Sequence, residues 1–508
     1  MTNRSTKIRR KKLYRYHCER RYKRHKRGHY SNKHWRRRNA CVISPMKRNP
    51  ISKATILGAE FESLVLQIID AIFSAEENKN LKKFFKEKPS KTEMDAYMKI
   101  HAKESVRIIH SGFKKAQSLI IDGLLQIQAE KKVTKKLLKE ARQQKANNKN
   151  LLVAQVHVLD YKETVLKHLA DTIFWQLIEG KLYIARRFHK FVPGNKTLEE
   201  TNYKSVLLVA DEINSNPDNF VLLTDLTNYI QIGDLIGVVD GKRRIIEVKD
   251  GEKNNEIVDD LDDVYNSKLS VYDFFEKYGE RPKDIEQIRR ILKQEEAVED
   301  EINIIRTDMG HDPVTDRNIK ILTPKEDTPY FYEELRDLEK QLSQRKFWAY
   351  TVIEGCLHIG LYKNKWKIFG KLLLENIAKD QHIEHKVIVD ARSSMKTMDC
   401  PLLFMPFSKQ LIIDILLGKV LMYLMLDIDK FMKLFEFYGT RCSWTSRKEA
   451  TKIKEGTKNL NIYLDNNRAI KMKNANGVEA IMAMGTITKI IFNHIKPTYI
   501  AYASNYYT

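Results

Sequence analysis

The chain has 508 residues, of which 42% are hydrophobic and 31% are charged, and its formal net charge is +24. This length is too great for one small core, so two or three domains are expected, and the apolar content excludes a wholly disordered protein. The positive charge is concentrated at one end. Residues 1–40 contain 17 Lys or Arg and a single acid, which leaves about +8 for the remaining 468 residues.

The basic arm, residues 1–50, interleaves cations with Tyr and Trp and lacks the aliphatic periodicity of a core segment. Cations neutralise phosphates, while aromatic rings and guanidinium planes stack on bases. The arm is therefore predicted to be flexible and to bind nucleic acid, and a solubilising tail or a targeting signal are the alternatives. The arginines chosen as candidate nucleic-acid contacts are Arg20, Arg21, Arg24, Arg36 and Arg37.

Several classes of protein are excluded by what the sequence lacks. The five cysteines are scattered and never form a CxxC pair, which predicts reduced thiols and a cytoplasmic protein. No apolar segment follows the basic arm, so no secretory signal is expected. The most apolar late segment, 411–426, is interrupted by Asp414 and Lys419, which favours a buried helix over a membrane span. The sequence contains no P-loop, HExxH or GxSxG motif.

After the arm, the pattern predicts a helical region over 51–150 and an amphipathic helix over 158–180 that ends at Gly180. Strands follow near 220–239 and 243–249, with Asp240-Gly241 as the turn between them. A long helix over 284–305 and strands at 347–361 and 385–390 come next. The segment 402–436 is apolar and is predicted to be mostly helical.

The stretch GDLIGVVDGKRRIIEVKDGE, residues 233–252, combines an acid with a later acid and lysine. Asp234 lies near one end of the first strand of the predicted hairpin, and Glu247 and Lys249 lie on the second. Side chains two residues apart in a strand point to the same face, so Glu247 and Lys249 share a face. The three side chains can converge, although an ordinary solvated hairpin has the same pattern.

Two neighbouring carboxylates favour a hard divalent cation such as Mg²⁺ or Mn²⁺, and the Val248 carbonyl is a further candidate ligand. Such a cation would polarise a phosphodiester oxygen and help to deprotonate water. Lys249 would orient that water or stabilise charge that develops on phosphorus. The predicted metal ligands are thus Asp234, Glu247 and Val248.

Gly233-Asp234, followed after twelve residues by Glu247-Val248-Lys249, resembles the core of the PD-(D/E)xK, or restriction-endonuclease-like, nuclease superfamily. The resemblance implies an α/β fold with a mixed-sheet core in the order helix, strand with Asp, strand with (D/E)xK, helix, strand. The predicted helix 158–180, the two hairpin strands, the helix 284–305 and the strand 347–361 follow that order, with one inserted helix near 200.

The same resemblance implies an acid from the first helix as a further catalytic residue and metal ligand. Asp171 is the preferred candidate because it lies between apolar neighbours, and Glu163 and Glu179 are the alternatives. Some members of the superfamily carry a glutamine on the helix after the motif, which here corresponds to Gln287. Arg290 on the same face and Lys253 just after the motif are candidate phosphate contacts. A solvated helix surface explains these polar residues equally well.

The sequence therefore predicts a Mg²⁺-dependent or Mn²⁺-dependent endonuclease that acts on DNA or RNA. The resemblance implies a role in defence against foreign nucleic acid. The chain is predicted to divide into four regions: the arm over 1–50, the helical region over 51–150, a nuclease-like domain over 151–364 and an unassigned α/β region over 365–508. No membrane contact is expected, and the helical region would serve oligomerisation or substrate recognition. A further hypothesis, compatible with the nuclease, is an effector that its C-terminal helices hold inactive until a regulatory partner arrives. The alternative is a non-catalytic nucleic-acid-binding or assembly protein that uses the arm.

Overall fold

A computed structural model of the chain describes residues 57–74, 91–185, 188, 197–198, 201–230, 232–248, 252–279, 281–292, 307, 309–312, 317–320, 328–345, 347–456 and 461–504. The predicted arm lies outside these ranges, and so does Lys249.

Three helices dominate the first part of the described chain: α1 (Ala59–Ile72), α2 (Lys91–Gln143) and α3 (Lys149–Leu177). A short turn joins α2 to α3, so the two form a long helical hairpin, and α1 packs against both. The predicted stop at Gly180 is confirmed. Gly180 has a φ of 68° and its N–H donates to the carbonyl of Trp175 at 2.9 Å, which closes the last turn.

A three-stranded antiparallel sheet follows a single helical turn at Leu182–Ala185 and the helix α4 (Tyr203–Asn214). Its strands are β1 (Phe220–Leu223), β2 (Leu235–Val239) and β3 (Lys242–Ile246), in the order β1-β2-β3. The helices α2, α3 and α4 contact β1, which is buried along its whole length. β3 is an edge strand and is partly exposed.

A small group of helices comes next, with a core of its own. It contains α5 (Glu252–Tyr265), α6 (Val271–Tyr278) and the helix α7 over 282–292. Ile257, Phe274 and Ile291 are buried together in this group, apart from the main core. A two-stranded antiparallel pair, β4 (Met309–Asp312) and β5 (Arg317–Lys320), follows it.

The largest sheet has four strands in the order β6-β7-β9-β8, and every pairing is antiparallel. Helix α9 packs on one face around Leu374 and Met425, and α10 and the main core cover the other face. Its elements are α8 (Tyr332–Arg345), β6 (Trp348–Ile353), β7 (Leu357–Lys363), α9 (Gly370–Asp380), β8 (Lys386–Asp390), α10 (Lys409–Leu416) and β9 (Val420–Asp427).

The remaining elements form a second four-stranded antiparallel sheet with helices around it. In that sheet β10, β11 and β13 each pair with β12. The elements are α11 (Ile428–Phe437), β10 (Arg441–Trp444), α12 (Arg447–Gly456), β11 (Leu464–Asp465), β12 (Arg468–Lys473), β13 (Glu479–Ile481), α13 (Met484–Ile491) and α14 (Pro497–Ala503).

One hydrophobic core runs from Leu57 to Ala501 and joins the three-stranded sheet to the first four-stranded sheet. Helix α3 lies between them. Its Tyr161 hydroxyl donates to the carbonyl of Leu416 at 2.7 Å, and its His168 Nε2 accepts from the N–H of Leu402 at 3.1 Å. The chain is therefore a mixed α/β protein. The division into four regions stays a prediction, and its boundary at 364–365 falls between two strands of one sheet.

The mixed sheet predicted for the nuclease core is not found among the described strands, since all of them pair antiparallel. The segment 347–361 does not extend the sheet of β1, β2 and β3. It forms β6 and most of β7, because Glu354 and Gly355, with φ angles of 46° and 71°, turn the chain back into a local hairpin.

The buried helix predicted over 411–426 is also wrong for its second half. Helix α10 ends at Leu416, Gly418 takes a φ of 70°, and the chain continues as β9 between β7 and β8. A continuous apolar run has no period that separates a buried helix from a buried strand, so neighbouring strands decided the outcome.

Candidate active site

The predicted β-hairpin is confirmed, and its turn is built by two left-handed residues. Asp240 and Gly241 have φ angles of 52° and 69°, as a two-residue hairpin turn of the mirror-image type requires. The register runs from Val239 opposite Lys242 to Leu235 opposite Ile246. The tight turn therefore fixes which residues meet at the far, open end of the hairpin.

Asp234 and Glu247 meet at that open end. Asp234 directly precedes β2, Glu247 directly follows β3, and continuation of the register places them opposite each other. The N–H of Asp234 donates to the carbonyl of Ile246 at 2.9 Å, and its Oδ2 accepts from the N–H of Val248 at 2.7 Å. Opposed residues of an antiparallel pair have Cβ atoms about 5 Å apart, so the two carboxylates are neighbours. Both side chains are partly exposed.

The position of Asp234 is fixed from the other side by Thr224, at the end of β1. The Thr224 hydroxyl donates to the carbonyl of Gly233 at 2.7 Å, and its N–H donates to the carbonyl of Asp234 at 3.0 Å. Thr224 is buried. The ends of β1 and β3 thus fix the main chain of Asp234, and the N–H of Val248 holds its carboxylate.

Asp171 lies on α3 and is fully buried. Its Oδ1 accepts from the N–H of Asn228 at 3.0 Å, and its Oδ2 accepts from the Asn228 side-chain amide at 2.7 Å. Burial raises the pKa of this carboxyl to about 7, and the hydrogen bonds from Asn228 oppose that rise. Asn228 belongs to the segment that leads to Asp234. The described contacts of Asp171 therefore hold that segment, and its predicted role as a metal ligand stays a prediction.

The two alternative acids, Glu163 on α3 and Glu179 just after it, each pair with cations. Glu163 accepts from Lys131 Nζ at 2.7 Å, which ties α3 to α2. Glu179 pairs with Lys181 at 2.8 Å and with Arg243 of β3. Hydrogen bonding to Lys181 and the positive charge of Arg243 lower the pKa of Glu179. Both acids have structural partners on the elements that they connect.

The predicted residues beyond the hairpin lie in different surroundings. Gln287 and Arg290 are on α7, whose Ile291 is buried in the small core with α5 and α6. Gln287 is half-buried and Arg290 is exposed. Lys253 lies in α5, directly after the motif. The remaining predicted contacts are outside the described residues, namely Lys249, Arg20, Arg21, Arg24, Arg36 and Arg37.

The hairpin supplies the kind of ligands that a hard cation prefers. Mg²⁺ is held in many proteins by one or two carboxylates, with water and substrate phosphates completing its shell. Asp234 and Glu247 provide two such carboxylates, and the Val248 carbonyl is beside them. In the part of the chain that the structure describes, no group of three or more His, Cys, Asp or Glu side chains is placed to hold a metal. The oxygen donors are therefore of the type that Mg²⁺ prefers, and their number, two carboxylates, is within the usual range for Mg²⁺.

The edge strand carries positive charge at the turn end of the hairpin. Lys242, Arg243 and Arg244 follow one another on β3, and the first two are exposed. Lys242 lies opposite Val239 beside the turn, so it is roughly 16 Å along the strand from Glu247. Exposed cations attract a polyanion to the surface that carries them, because they raise the local concentration of phosphate. The hairpin therefore has cations near its turn and two carboxylates at its open end.

Sequence reasoning missed the residues that support the site, above all Thr224 and Asn228. Both belong to the segment TDLTNY, and Thr and Asn are typical of loops in which side chains bond to backbone. That composition signals a structured loop. It does not identify Asp171 or Gly233 as the partners, because those contacts depend on how the helix packs on the sheet.

Comparison with protein-family models, with curated proteins and with solved structures finds no match to this chain. Within the described ranges, no helix combines the length and apolar character that crossing a membrane requires.

Proposed function

We propose that this protein is a metal-dependent nuclease that hydrolyses phosphodiester bonds of DNA or RNA at the open end of the β2–β3 hairpin. The observation that carries the proposal is the pairing of Asp234 with Glu247 there, with the Asp234 carboxylate held on the N–H of Val248 at 2.7 Å. The resemblance to the PD-(D/E)xK superfamily implies a strand with Asp followed by a strand with (D/E)xK. Here Asp234 directly precedes β2 and Glu247 directly follows β3, so the order of the acids is kept and their positions are just outside the strands.

The proposed roles follow from the chemistry of each side chain. Asp234 and Glu247 would hold Mg²⁺ or Mn²⁺, with the Val248 carbonyl as a further ligand. When bound, a divalent ion supplies Lewis-acid stabilisation of the charge on the phosphate oxygens. The cations of β3 would draw the sugar–phosphate backbone to the hairpin. Lys249, which lies outside the described residues, would orient the attacking water or stabilise the charge that develops on phosphorus, and this role rests on the sequence pattern.

Asp171 is proposed as a positioning residue for the same site. Its carboxylate holds Asn228, and the segment from Asn228 to Gly233 delivers Asp234 to the hairpin. Thr224 fixes the end of that segment through Gly233. A change at Asp171 would therefore act through the loop on the geometry of Asp234, without contact with the substrate.

The test is cleavage of plasmid DNA and of RNA by the full chain, with Mg²⁺ or Mn²⁺ and with EDTA. We expect cleavage that EDTA abolishes and that Asp234→Asn and Glu247→Gln each reduce by at least about 100-fold. The matched control is Asp225→Asn, which removes an exposed carboxylate from the neighbouring turn, and its cleavage rate should equal that of the wild type.

Two results would overturn the proposal. One is equal cleavage by the wild type and both hairpin variants, which would place the activity elsewhere. The other is a wild type that binds nucleic acid and cuts no substrate with either metal, which would favour the non-catalytic nucleic-acid-binding protein. Melting curves of the variants show whether each is folded, so that an unfolded variant is not counted as an inactive one.

A further inference from the structure

The far end of the helical hairpin formed by α2 and α3, residues 130–159, is the most basic described part of the molecule. We name it the helical tip. It contains eight cations and two acids, and residues 141–159 contain no acid. The cations are Lys131, Lys132, Lys135, Lys136, Lys139, Arg142, Lys145 and Lys149. None of the candidate active-site residues belongs to this segment.

The helical tip has a small core of its own. Leu138, Ala141 and Leu152 are buried together, with Val153 and Val156 packed against them, apart from the main core. The contacts between α2 and α3 therefore support the tip without help from the sheets. A self-supported helical projection can present side chains in fixed positions to a large partner.

Four cations occupy one outward surface of α2 in the helical tip. Lys135, Lys136, Lys139 and Arg142 are exposed, and across the described residues they form no ion pair. Lys131 behaves differently, since it turns inward and pairs with Asp160 at 2.6 Å and Glu163 at 2.7 Å. At 1.5 Å per residue, the outward row from Lys135 to Arg142 spans about 10 Å.

A further cation, Lys145, lies at the turn in a conformation that favours glycine. Its φ is 52°, and the following N–H, of Ala146, donates to the carbonyl of Ala141 at 2.9 Å. This is the helix-ending position at which glycine is usual, because a Cβ atom is strained there. Lysine at this point places a charge at the extreme end of the projection in spite of the strain.

We infer that the helical tip binds the phosphate backbone of double-stranded DNA without reading its sequence. This inference rests on the proposed nuclease function, for which the tip would hold the substrate. Duplex DNA carries about one negative charge per 1.7 Å of its axis, which the outward row of cations complements. Lysine contacts phosphates as a point charge and carries no sequence information.

The composition of the tip favours a DNA duplex over the other polyanions. Residues 130–159 contain no Phe, Tyr or Trp, and their one imidazole, His157, is half-buried, so they offer little ring surface on which the bases of a single strand could stack. Double-stranded RNA is recognised partly through its 2′-hydroxyl groups, which both donate and accept hydrogen bonds. The outward cations offer donors only.

The test measures binding of a labelled DNA duplex by fluorescence anisotropy at several salt concentrations. All proteins are the full chain with Glu247→Gln, so that the DNA stays intact and binding is scored apart from cleavage. Two fourfold variants with the same loss of charge are compared. The tip variant carries Lys135→Gln, Lys136→Gln, Lys139→Gln and Arg142→Gln. The control variant carries Arg447→Gln, Lys448→Gln, Lys452→Gln and Lys454→Gln, all exposed on α12.

We expect the tip variant to bind DNA at least about tenfold more weakly, with a log–log salt slope that is shallower by about 0.9 for each phosphate that the tip no longer neutralises. The control variant should bind as the parent does. A second tip variant, Lys145→Gly, should bind DNA more weakly while it melts at a higher temperature. Weaker binding in that variant cannot then be caused by unfolding.

The inference is overturned if both fourfold variants lose affinity equally, since general charge would then explain binding. It is also overturned if the tip variant keeps its affinity, or if an RNA duplex or vesicles of phosphatidylserine bind the tip more tightly than DNA. For the cleavage arm, the wild type and the tip variant are compared with Glu247 retained. A wild type that binds DNA through the tip and cuts nothing overturns the nuclease proposal alone. A tip variant with Glu247 that cuts DNA and keeps its affinity overturns this inference alone.

Discussion

The three-stranded sheet and the sheet of β6, β7, β9 and β8 both carry carboxylates at the ends of their strands, in different surroundings. In the four-stranded sheet, Asp390 at the end of β8 accepts from the Arg392 guanidinium, from Nε at 3.0 Å and from Nη2 at 2.6 Å among its contacts, and both side chains are largely buried. In the three-stranded sheet, Asp234 and Glu247 lie beside an edge strand and remain partly exposed.

The difference follows from what covers each sheet. Helix α9 covers one face of the four-stranded sheet and the main core covers the other, so a charge at its strand ends must be neutralised within the protein. The three-stranded sheet is covered by helices at β1 and open at β3. An acid at the open end can keep its charge and contact a ligand. Carboxylates of the covered sheet should therefore affect stability, and those of the open sheet should affect activity.

The largest expected effect on stability comes from Arg392. Arg392→Leu leaves Asp390 as a buried charge without its guanidinium, and the free energy of unfolding should fall by about 3–5 kcal/mol. Denaturant unfolding followed by circular dichroism measures it. The double variant with Asp390→Asn removes both charges and should recover part of the loss. A single variant as stable as the wild type would contradict the structural role of this pair.

A second large effect should appear in the pH dependence of stability through Asp171. Its folded pKa is about 7 and its ordinary value is 3.8, so between these values the folded protein holds a proton that the unfolded chain releases. The free energy of unfolding should therefore fall as pH rises through this window, by up to about 4 kcal/mol.

Asp171→Asn cannot titrate at this position, so its stability should lack that fall. Denaturant unfolding at intervals from acid to neutral pH gives the two curves. Above the folded pKa they should run parallel, which serves as an internal control. Stability curves that are parallel over the whole pH range would show that burial does not raise the pKa of Asp171.

A smaller effect is expected at Thr224, which supports the open site from β1. Thr224→Val removes the hydroxyl that donates to the Gly233 carbonyl, and it should lower the free energy of unfolding by about 1–2 kcal/mol. Cleavage should fall as well, because Asp234 loses part of its support. The control is Thr201→Val, which removes a hydroxyl bonded to the carbonyl of Leu198 away from the site. Equal cleavage by both variants would show that Thr224 does not support the geometry of Asp234.

The smallest effect is expected at the exposed edge of the open sheet. Arg243 pairs with Glu179, and their side chains are 43% and 58% exposed. Water screens such a pair, so Arg243→Gln should change the free energy of unfolding by less than about 1 kcal/mol. Thermal melting beside the Arg392 variant makes the comparison direct. A loss as large as that of Arg392→Leu would remove the distinction between the covered and the open sheet.

The local features of the candidate site were accessible from the sequence. Asp240-Gly241 predicts a tight turn, and the twelve residues between Asp234 and Glu247 then suffice to bring both acids to the open end. These features depend on neighbours along the chain, where backbone preference and strand alternation act directly. The same holds for the end of α3 at Gly180, where the absence of a Cβ atom permits the left-handed conformation.

The long-range features were decided by packing alone. Asp171 meets Asn228 across 57 residues of sequence, and no pattern in either segment names the other. The apolar run 411–426 became a helix and a strand because β7 and β8 offered hydrogen bonds to its second half. Likewise, the segment 347–361 was predicted to belong to the nuclease core, and it forms part of the sheet of β6, β7, β9 and β8 instead.

The sequence by itself determined the β-hairpin, the acid pair and the basic character of the helical tip, since each follows from local composition and spacing. Only the tertiary structure decided that Asp171 supports a loop and that Lys131 turns inward while Lys135 and its neighbours face solvent. The physical reason is that burial and pairing depend on which surfaces meet, and a surface is assembled from residues far apart in the chain.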